Sequence, residues 1–358
     1  MADAHAGDFA GFVDLQVNGT HGIDFSAEGL TREQCLRAFS LIRGAGTAAF
    51  LPTVITSPVD RCARNLSVIA RAAEAFEHRE SIVGIHLEGP FLDPTPGAIG
   101  AHNPDWVLPP DPALFDRLQD AAGGAIRVLT VSAGVDGVER LIEHASRAGV
   151  VVALGHQMAG YAAVRRAADA GATLLTHLGN GIPHEVNRHE NTLLAGLAEE
   201  RLAASFIGDG HHLPPELVRV ILAVKGVDRA IAVSDASPVA GLPPGRYTTL
   251  GNAVEVSGDG LVVLPGTRYL AGSGSNLLQC MNRLAGWNLL PPEGLLAVGV
   301  DNPARLVGVG AAELTGPGVR YDPEARRFEV VASEQDESRG AASAASPGRA
   351  TREKEDSP

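Results

Sequence analysis

Eight apolar runs of strand length recur between residues 11 and 234, and no other feature constrains the fold as tightly. They are 11–17 GFVDLQV, 47–53 TAAFLPT, 82–87 IVGIHL, 127–132 RVLTVS, 150–155 VVVALG, 172–177 ATLLTH, 203–208 AASFIG and 230–234 AIAVS. Val, Ile, Leu and Ala fill both faces of each run, as in parallel strands buried on two sides. Stretches of helical periodicity separate them, at 31–43, 58–77, 136–148, 159–170 and 214–225, with Thr31 placed to cap the first. Gly44, Gly149, Gly171 and Gly226 stand just before the following strands, where helices commonly end on glycine. Eight β-α units in about 235 residues predict an α/β fold, a TIM-like (β/α)8 barrel. A doubly wound open sheet would want a glycine fingerprint after its first strand, and this chain has Gln16-Val17-Asn18-Gly19 there. The run Gly272-Ser273-Gly274-Ser275-Asn276 lacks the Lys-Ser/Thr of a phosphate loop and reads as a turn capping a helix at 276–286.

Composition narrows the partners. The 358 residues are 45% hydrophobic and 20% charged, enough for one large domain, expected over 1–332. Forty-two acidic against 29 basic residues give a net charge of −13, which leaves no broad basic surface for nucleic acid or anionic lipid. An anionic ligand would need a local cationic pocket. Cys35, Cys62 and Cys280 are far apart and form no CxxC pair, so they read as buried thiols. The opening MADAHAGDFA lacks a signal-peptide pattern and no run of about 18 apolar residues occurs, so a cytoplasmic address is expected. Residues 333–358 have almost no large apolar side chain and are expected to be a disordered tail.

In such a barrel the reacting groups stand at the C-terminal ends of the strands. Run 3 ends at His86-Leu87-Glu88, run 5 at Gly155-His156, run 6 at Thr176-His177 and run 8 at Ser234-Asp235, while run 7 leads into Asp209-Gly210-His211-His212. A single histidine at a strand end is more often hydrogen-bonded structure than a ligand. Four such groups at the same end of four strands are hard to obtain by chance. One carboxylate and two imidazoles, Glu88, His156 and His177, make a three-ligand zinc-type site with a position left for water. Asp235 is then the natural general base. His86 shares the face of Glu88 but lies deeper, which suits a supporting or core role.

The segments Gly11–Gly19, His86–Phe91, Ala101–Pro104, Gly155–His156, Thr176–Asn180, Asp209–His212, Val233–Ala236, Leu270–Ser273 and Asp301–Arg305 together resemble the ordered motif set of the N-acetylglucosamine-6-phosphate deacetylase family, in the amidohydrolase superfamily. The resemblance runs from about residue 11 to 310. It implies one divalent ion per chain on Glu88, His156 and His177, zinc first, with iron, manganese or cobalt as alternatives. It implies that Asp235 takes a proton from the metal-bound water and that His102 polarises the acetyl carbonyl. Asn180, the backbone of Gly181 and His212 match positions that hold the sugar phosphate. Arg188 matches an arginine that reaches the substrate of the neighbouring subunit, which implies a homodimer. The absence of His-x-His on strand 1, and of a lysine in 127–134, favours one metal over two.

Departures from the family pattern bear on the substrate. Strand 1 begins at about residue 11, so the small β-sandwich of the family is expected to be absent, or reduced to something like 320–331. After Arg188 the family often reads Glu-Pro-Gly, and this chain reads His189-Glu190-Asn191. The loop from Glu88 to His102, with Pro94, Pro96 and Gly97, is somewhat long. The expected reaction is deacetylation of N-acetylglucosamine 6-phosphate to glucosamine 6-phosphate and acetate. Two other readings stand beside it: the same chemistry on another N-acyl amino sugar or a secondary metabolite, and a catalytically silent binding barrel.

Overall fold

The computed structural model describes residues 8–331; the expected tail at 333–358 lies outside them. All eight apolar runs are strands: β1 (Phe12–Val17), β2 (Thr47–Ile55), β3 (Ile85–Glu88), β4 (Ile126–Val131), β5 (Val151–Leu154), β6 (Leu174–Leu175), β7 (Ala203–Ile207) and β8 (Ala230–Val233). They pair in parallel and in chain order. Val17 forms a parallel bridge with Ala236, and the Asn18 N–H donates to the Ala236 carbonyl at 2.8 Å. That contact joins the end of β1 to the chain just past β8 and brings the sheet round into a barrel.

Helices α1 (Arg32–Gly44), α2 (Val59–Ala75), α3 (Pro112–Ala121), α4 (Val138–Arg147), α5 (Tyr161–Asp169), α6 (Thr192–Ala198), α7 (Pro215–Lys225) and α8 (Leu277–Trp287) follow the eight strands in turn. The expected cap on α1 is present and reciprocal. Thr31 accepts from the Gln34 N–H at 3.2 Å, and the Gln34 side chain accepts from the Thr31 N–H at 2.9 Å. Cys35, Ala38, Phe39 and Ile42 then form its buried stripe. Gly149, Gly171 and Gly226 take positive φ, as expected. Gly44 does not: it is the last residue of α1, and the left-handed position falls at Gly46, φ 98°. The Gly46 carbonyl accepts from the Phe12 N–H at 2.9 Å, which ties the end of α1 to the start of β1. The turn before α8 is closed by Asn276, whose side chain accepts from the Gln279 N–H at 2.9 Å. All three cysteines are buried free thiols, and burial pushes Cys35 and Cys62 up to about 12. No helix among the described residues is long and apolar enough to cross a membrane.

Three small sheets flank the barrel, one of them a short antiparallel pair of Gly19–Thr20 with Ile23–Asp24. Between β8 and α8, β9 (Gly245–Thr249), β10 (Asn252–Val256) and β11 (Val262–Val263) form an antiparallel insertion over their own core of Val239, Val254, Val256, Val262 and Ala271. Beyond α8, α9 (Pro292–Leu296) runs through a π turn at Ala297–Asp301 into α10 (Asn302–Leu306). A hairpin of β12 (Val319–Asp322) and β13 (Arg327–Val330) ends the described chain. The Phe328 ring meets Phe12 at 5.0 Å and Phe9 at 6.0 Å, and Phe9 bridges Val319. The hairpin therefore packs against the start of β1 and against α8, where the Asn282 side chain donates to the Phe328 carbonyl at 3.0 Å. It is all that the described residues hold in place of a sandwich.

Candidate active site

Glu88 ends β3, while His156, His177 and Asp235 each lie two residues past β5, β6 and β8. All four line one cavity of about 500 Å³ at the C-terminal end of the barrel. His177 Nε2 is 3.1 Å and His156 Nε2 3.2 Å from Glu88 Oε1, and the two imidazole nitrogens are 3.1 Å apart. Bonds of about 2.0–2.1 Å in a tetrahedral site set donor atoms about 3.3 Å apart. The buried carboxylate and two imidazoles thus fit a divalent metal centre. His156, His177 and Asp235 adopt φ of 48°, 30° and 49°, a left-handed conformation that turns each side chain off its strand.

The surroundings fix the donors. His156 Nδ1 donates to the Ala98 carbonyl at 2.8 Å, so its Nε2 lone pair faces Glu88. The long loop after β3 supplies that carbonyl and is part of the site. Gly155 must be glycine, because a Cβ there would approach Thr176 to 2.8 Å. His86 is buried, donates to the Leu15 carbonyl at 3.1 Å and meets Thr130 Oγ1 at 2.7 Å. Its ring is held in the barrel interior, as its depth in β3 suggested.

Three residues that the sequence reading passed over position the reacting groups. Gln16 Nε2 donates to Glu88 Oε1 at 2.9 Å, and Asn18 Nδ2 donates to Asp235 Oδ1 at 2.7 Å. In the sequence both stood out only as what replaces a glycine fingerprint or a His-x-His on strand 1, and as part of the Gly11–Gly19 segment. Two amides at i and i+2 on an otherwise apolar strand were the usable signal. Thr56, just past β2, donates its N–H to His102 Nδ1 at 3.3 Å, which leaves His102 Nε2 protonated, 3.8 Å from Glu88 Oε2. Burial keeps His102 neutral by lowering its pKa to about 3. Burial and the charge of Glu88 raise Asp235 to about 6. Burial works against Glu88 ionising, but the His156 and His177 imidazoles beside it hold its carboxyl well below the usual range.

Farther along the cavity wall are Asn180, Gly181 and His212. Gly181 needs its open side, since a Cβ would come within 2.9 Å of His156 Nδ1. His212 Nδ1 donates at 2.8 Å to Asp209, whose carboxylate also accepts from Ser273. Arg188 is exposed and does not line the cavity of its own chain. The altered neighbour Asn191 caps α6, accepting from the Leu194 N–H at 2.9 Å. Arg268, Tyr269, Leu250 and His184 also line the cavity and were not foreseen. The first three come from the insertion, for which no element was expected.

No protein-family model matches the chain. It is 29% identical to the N-acetylgalactosamine-6-phosphate deacetylase of Escherichia coli O157:H7 over 310 residues, 86% of this chain and 80% of the relative. It is 30% identical to the N-acetylglucosamine-6-phosphate deacetylase of Bos taurus over 314 residues, 84% of this chain and 74% of the relative. The chain belongs to the N-acetylglucosamine-6-phosphate deacetylase family. A Mycobacterium smegmatis deacetylase, solved with N-acetyl-D-glucosamine-6-phosphate bound, superposes with a TM-score of 0.81 at 31% identity, covering 90% of this chain and 84% of that one. Family membership and the donor geometry agree on a hydrolase built around a buried Glu-His-His centre.

Proposed function

We propose that this chain hydrolyses the N-acetyl amide of N-acetylglucosamine 6-phosphate, giving glucosamine 6-phosphate and acetate. The observation that carries the reading is the Glu88-His156-His177 donor set facing Asp235 across one cavity. One divalent ion on the three donors, zinc first and iron, manganese or cobalt after it, supplies the charge that activates water and polarises the amide carbonyl. Asp235 accepts the proton of the attacking water and returns it to the leaving nitrogen. Asn18 holds that carboxylate on one oxygen and leaves the other free for the proton. Neutral His102 presents its Nε2–H to the developing negative charge on the acetyl oxygen. Asn180, the Gly181 N–H and His212 hold the phosphate end of the sugar.

Arg188 is exposed and off its own cavity, which suits a residue that serves a neighbouring site in a homodimer. Exposed Met158, Tyr161, Val186 and Leu194 lie on the same loops or the adjoining helix starts, and Tyr161 donates to the His189 carbonyl at 3.0 Å. A phosphorylated sugar crosses no membrane unaided, which supports a cytoplasmic address.

The galactosamine relative gives a second reading some support, in which the preferred sugar is the C4 epimer or another N-acyl amino sugar. A panel of N-acetylglucosamine and N-acetylgalactosamine, each with and without the 6-phosphate, separates these by acetate release. The expected result is the highest kcat/KM on N-acetylglucosamine 6-phosphate, with about one divalent ion per chain. Preference for an unphosphorylated sugar, or two tightly held ions, would overturn the reading.

A further inference from the structure

The walls of the cavity are poor in fixed positive charge. Glu88 and Asp235 line it, beside several histidines, in a chain of net charge −13. Arg268 is the one lining residue with a permanent positive charge. Among the described ion pairs and hydrogen bonds, none uses its guanidinium; those of its turn run between Leu264, Thr267 and Tyr269.

Arg268 is held where it stands. The Leu264 carbonyl accepts from the Thr267 N–H at 3.1 Å, and Gly266 takes φ 76° after Pro265, a type II turn. The Leu264 N–H then donates to the Tyr269 carbonyl at 3.0 Å, and Thr267 Oγ1 accepts from the Tyr269 N–H at 3.1 Å. Arg268 is thus enclosed in a doubly closed turn. The neighbouring Tyr269 ring stacks on His184 at 4.7 Å and 17°, joining this turn to the loop after β6 that carries Asn180 and Gly181. The backbone that carries Arg268 is therefore fixed before a ligand arrives, and only the side chain remains to be ordered on binding.

We propose that Arg268 is an anion subsite supplied within one chain, and that it takes the phosphate monoester of the amino sugar. The identity of that sugar rests on the function proposed above; the charge argument does not. The planar guanidinium can grip two phosphate oxygens at once, which a lysine cannot. This contact is independent of Arg188, so each active site draws on its own insertion whether or not a partner is bound.

The test uses the metal-loaded full chain as wild type, Arg268→Ala, Arg268→Lys and Arg188→Ala. Arg268 is exposed, so its removal leaves the core intact. Arg268→Ala is expected to lower kcat/KM on N-acetylglucosamine 6-phosphate by about ten- to a hundredfold, mostly through KM, and to leave unphosphorylated N-acetylglucosamine unchanged. Arg268→Lys should recover part of the loss. Calorimetry with the products, glucosamine 6-phosphate against glucosamine, should show the same phosphate preference falling in Arg268→Ala and persisting in part in Arg188→Ala. Equal losses on both substrates, no loss on either, or a preference wholly removed by Arg188→Ala would overturn the proposal. If wild type releases no acetate from any of the sugars, the proposed function fails, and the calorimetric arm alone still decides for or against Arg268.

Discussion

His156, His177 and Asp235 occupy backbone conformations that ordinarily select glycine, at a cost of about 1–3 kcal/mol each. No glycine could replace them, because the twist serves to swing a donor or a base off its strand and into the cavity. Asp235→Asn is a clean probe for that reason. Asn tolerates the same conformation and can still accept from Asn18, but it cannot take a proton. The variant is expected to keep its metal content and melting temperature while kcat falls roughly 10²–10⁴-fold; near-normal turnover would move the base elsewhere. A second carboxylate behaves differently. Asp14 lies deep between β1 and β8, where burial raises it to about 7 against the hydrogen bonds from Ser234 and Gln16. Unfolded, it loses its proton near 3.8. Between those two values the folded chain retains a proton that the unfolded chain has released, so this residue makes stability fall as pH rises. Asp14→Asn removes the dependence. Its melting temperature relative to wild type should climb from pH 4 to pH 7, and a flat difference would show that Asp14 is ionised in the fold.

At the scale of elements, strand β1 does more than close the barrel. Gln16 is bonded to Glu88 and Asn18 to Asp235, so one strand orients both a member of the Glu-His-His centre and the carboxylate proposed as the base. Gln16→Ala should weaken metal affinity by about 10–100-fold, the usual effect of losing an outer partner of a ligand, as measured by competition with a chelator. Unchanged affinity would make the Gln16 contact incidental. The strands and the donors were legible in the sequence because burial on two faces leaves continuous apolar runs, and a polar residue at the end of such a run stands out. The supporting contacts were not, since Gln16, Thr56 and Ala98 meet their partners only through the closed barrel. The insertion was missed for another reason. Its strands are short, its turn at Leu250-Gly251 puts leucine at a positive φ of 51° where Asn is the usual signal, and its apolar alternation spans only Val254 and Val256.

For the molecule as a whole, the reacting end and the stabilising end are opposite. The β12–β13 hairpin packs at the start of β1, the end of that strand away from the cavity, with Phe328 buried against Phe9 and Phe12. Phe328→Ala should cost about 3–5 kcal/mol of stability, by the usual measure for a buried aromatic, yet leave kcat and KM close to wild type below the melting transition. A loss of activity matching the loss of stability would show that the two ends are coupled. The strict chain order of the strands carries a consequence for how the protein is made. Glu88, His156 and His177 all precede β7, whereas Asp235 follows β8, and closure waits for the bridge between Val17 and Ala236. On the ribosome, where N-terminal parts emerge first, the three donors are laid down while the sheet is still open. A nascent chain that stops before residue 230 therefore carries all three donors and lacks both the base and the bridge that closes the barrel.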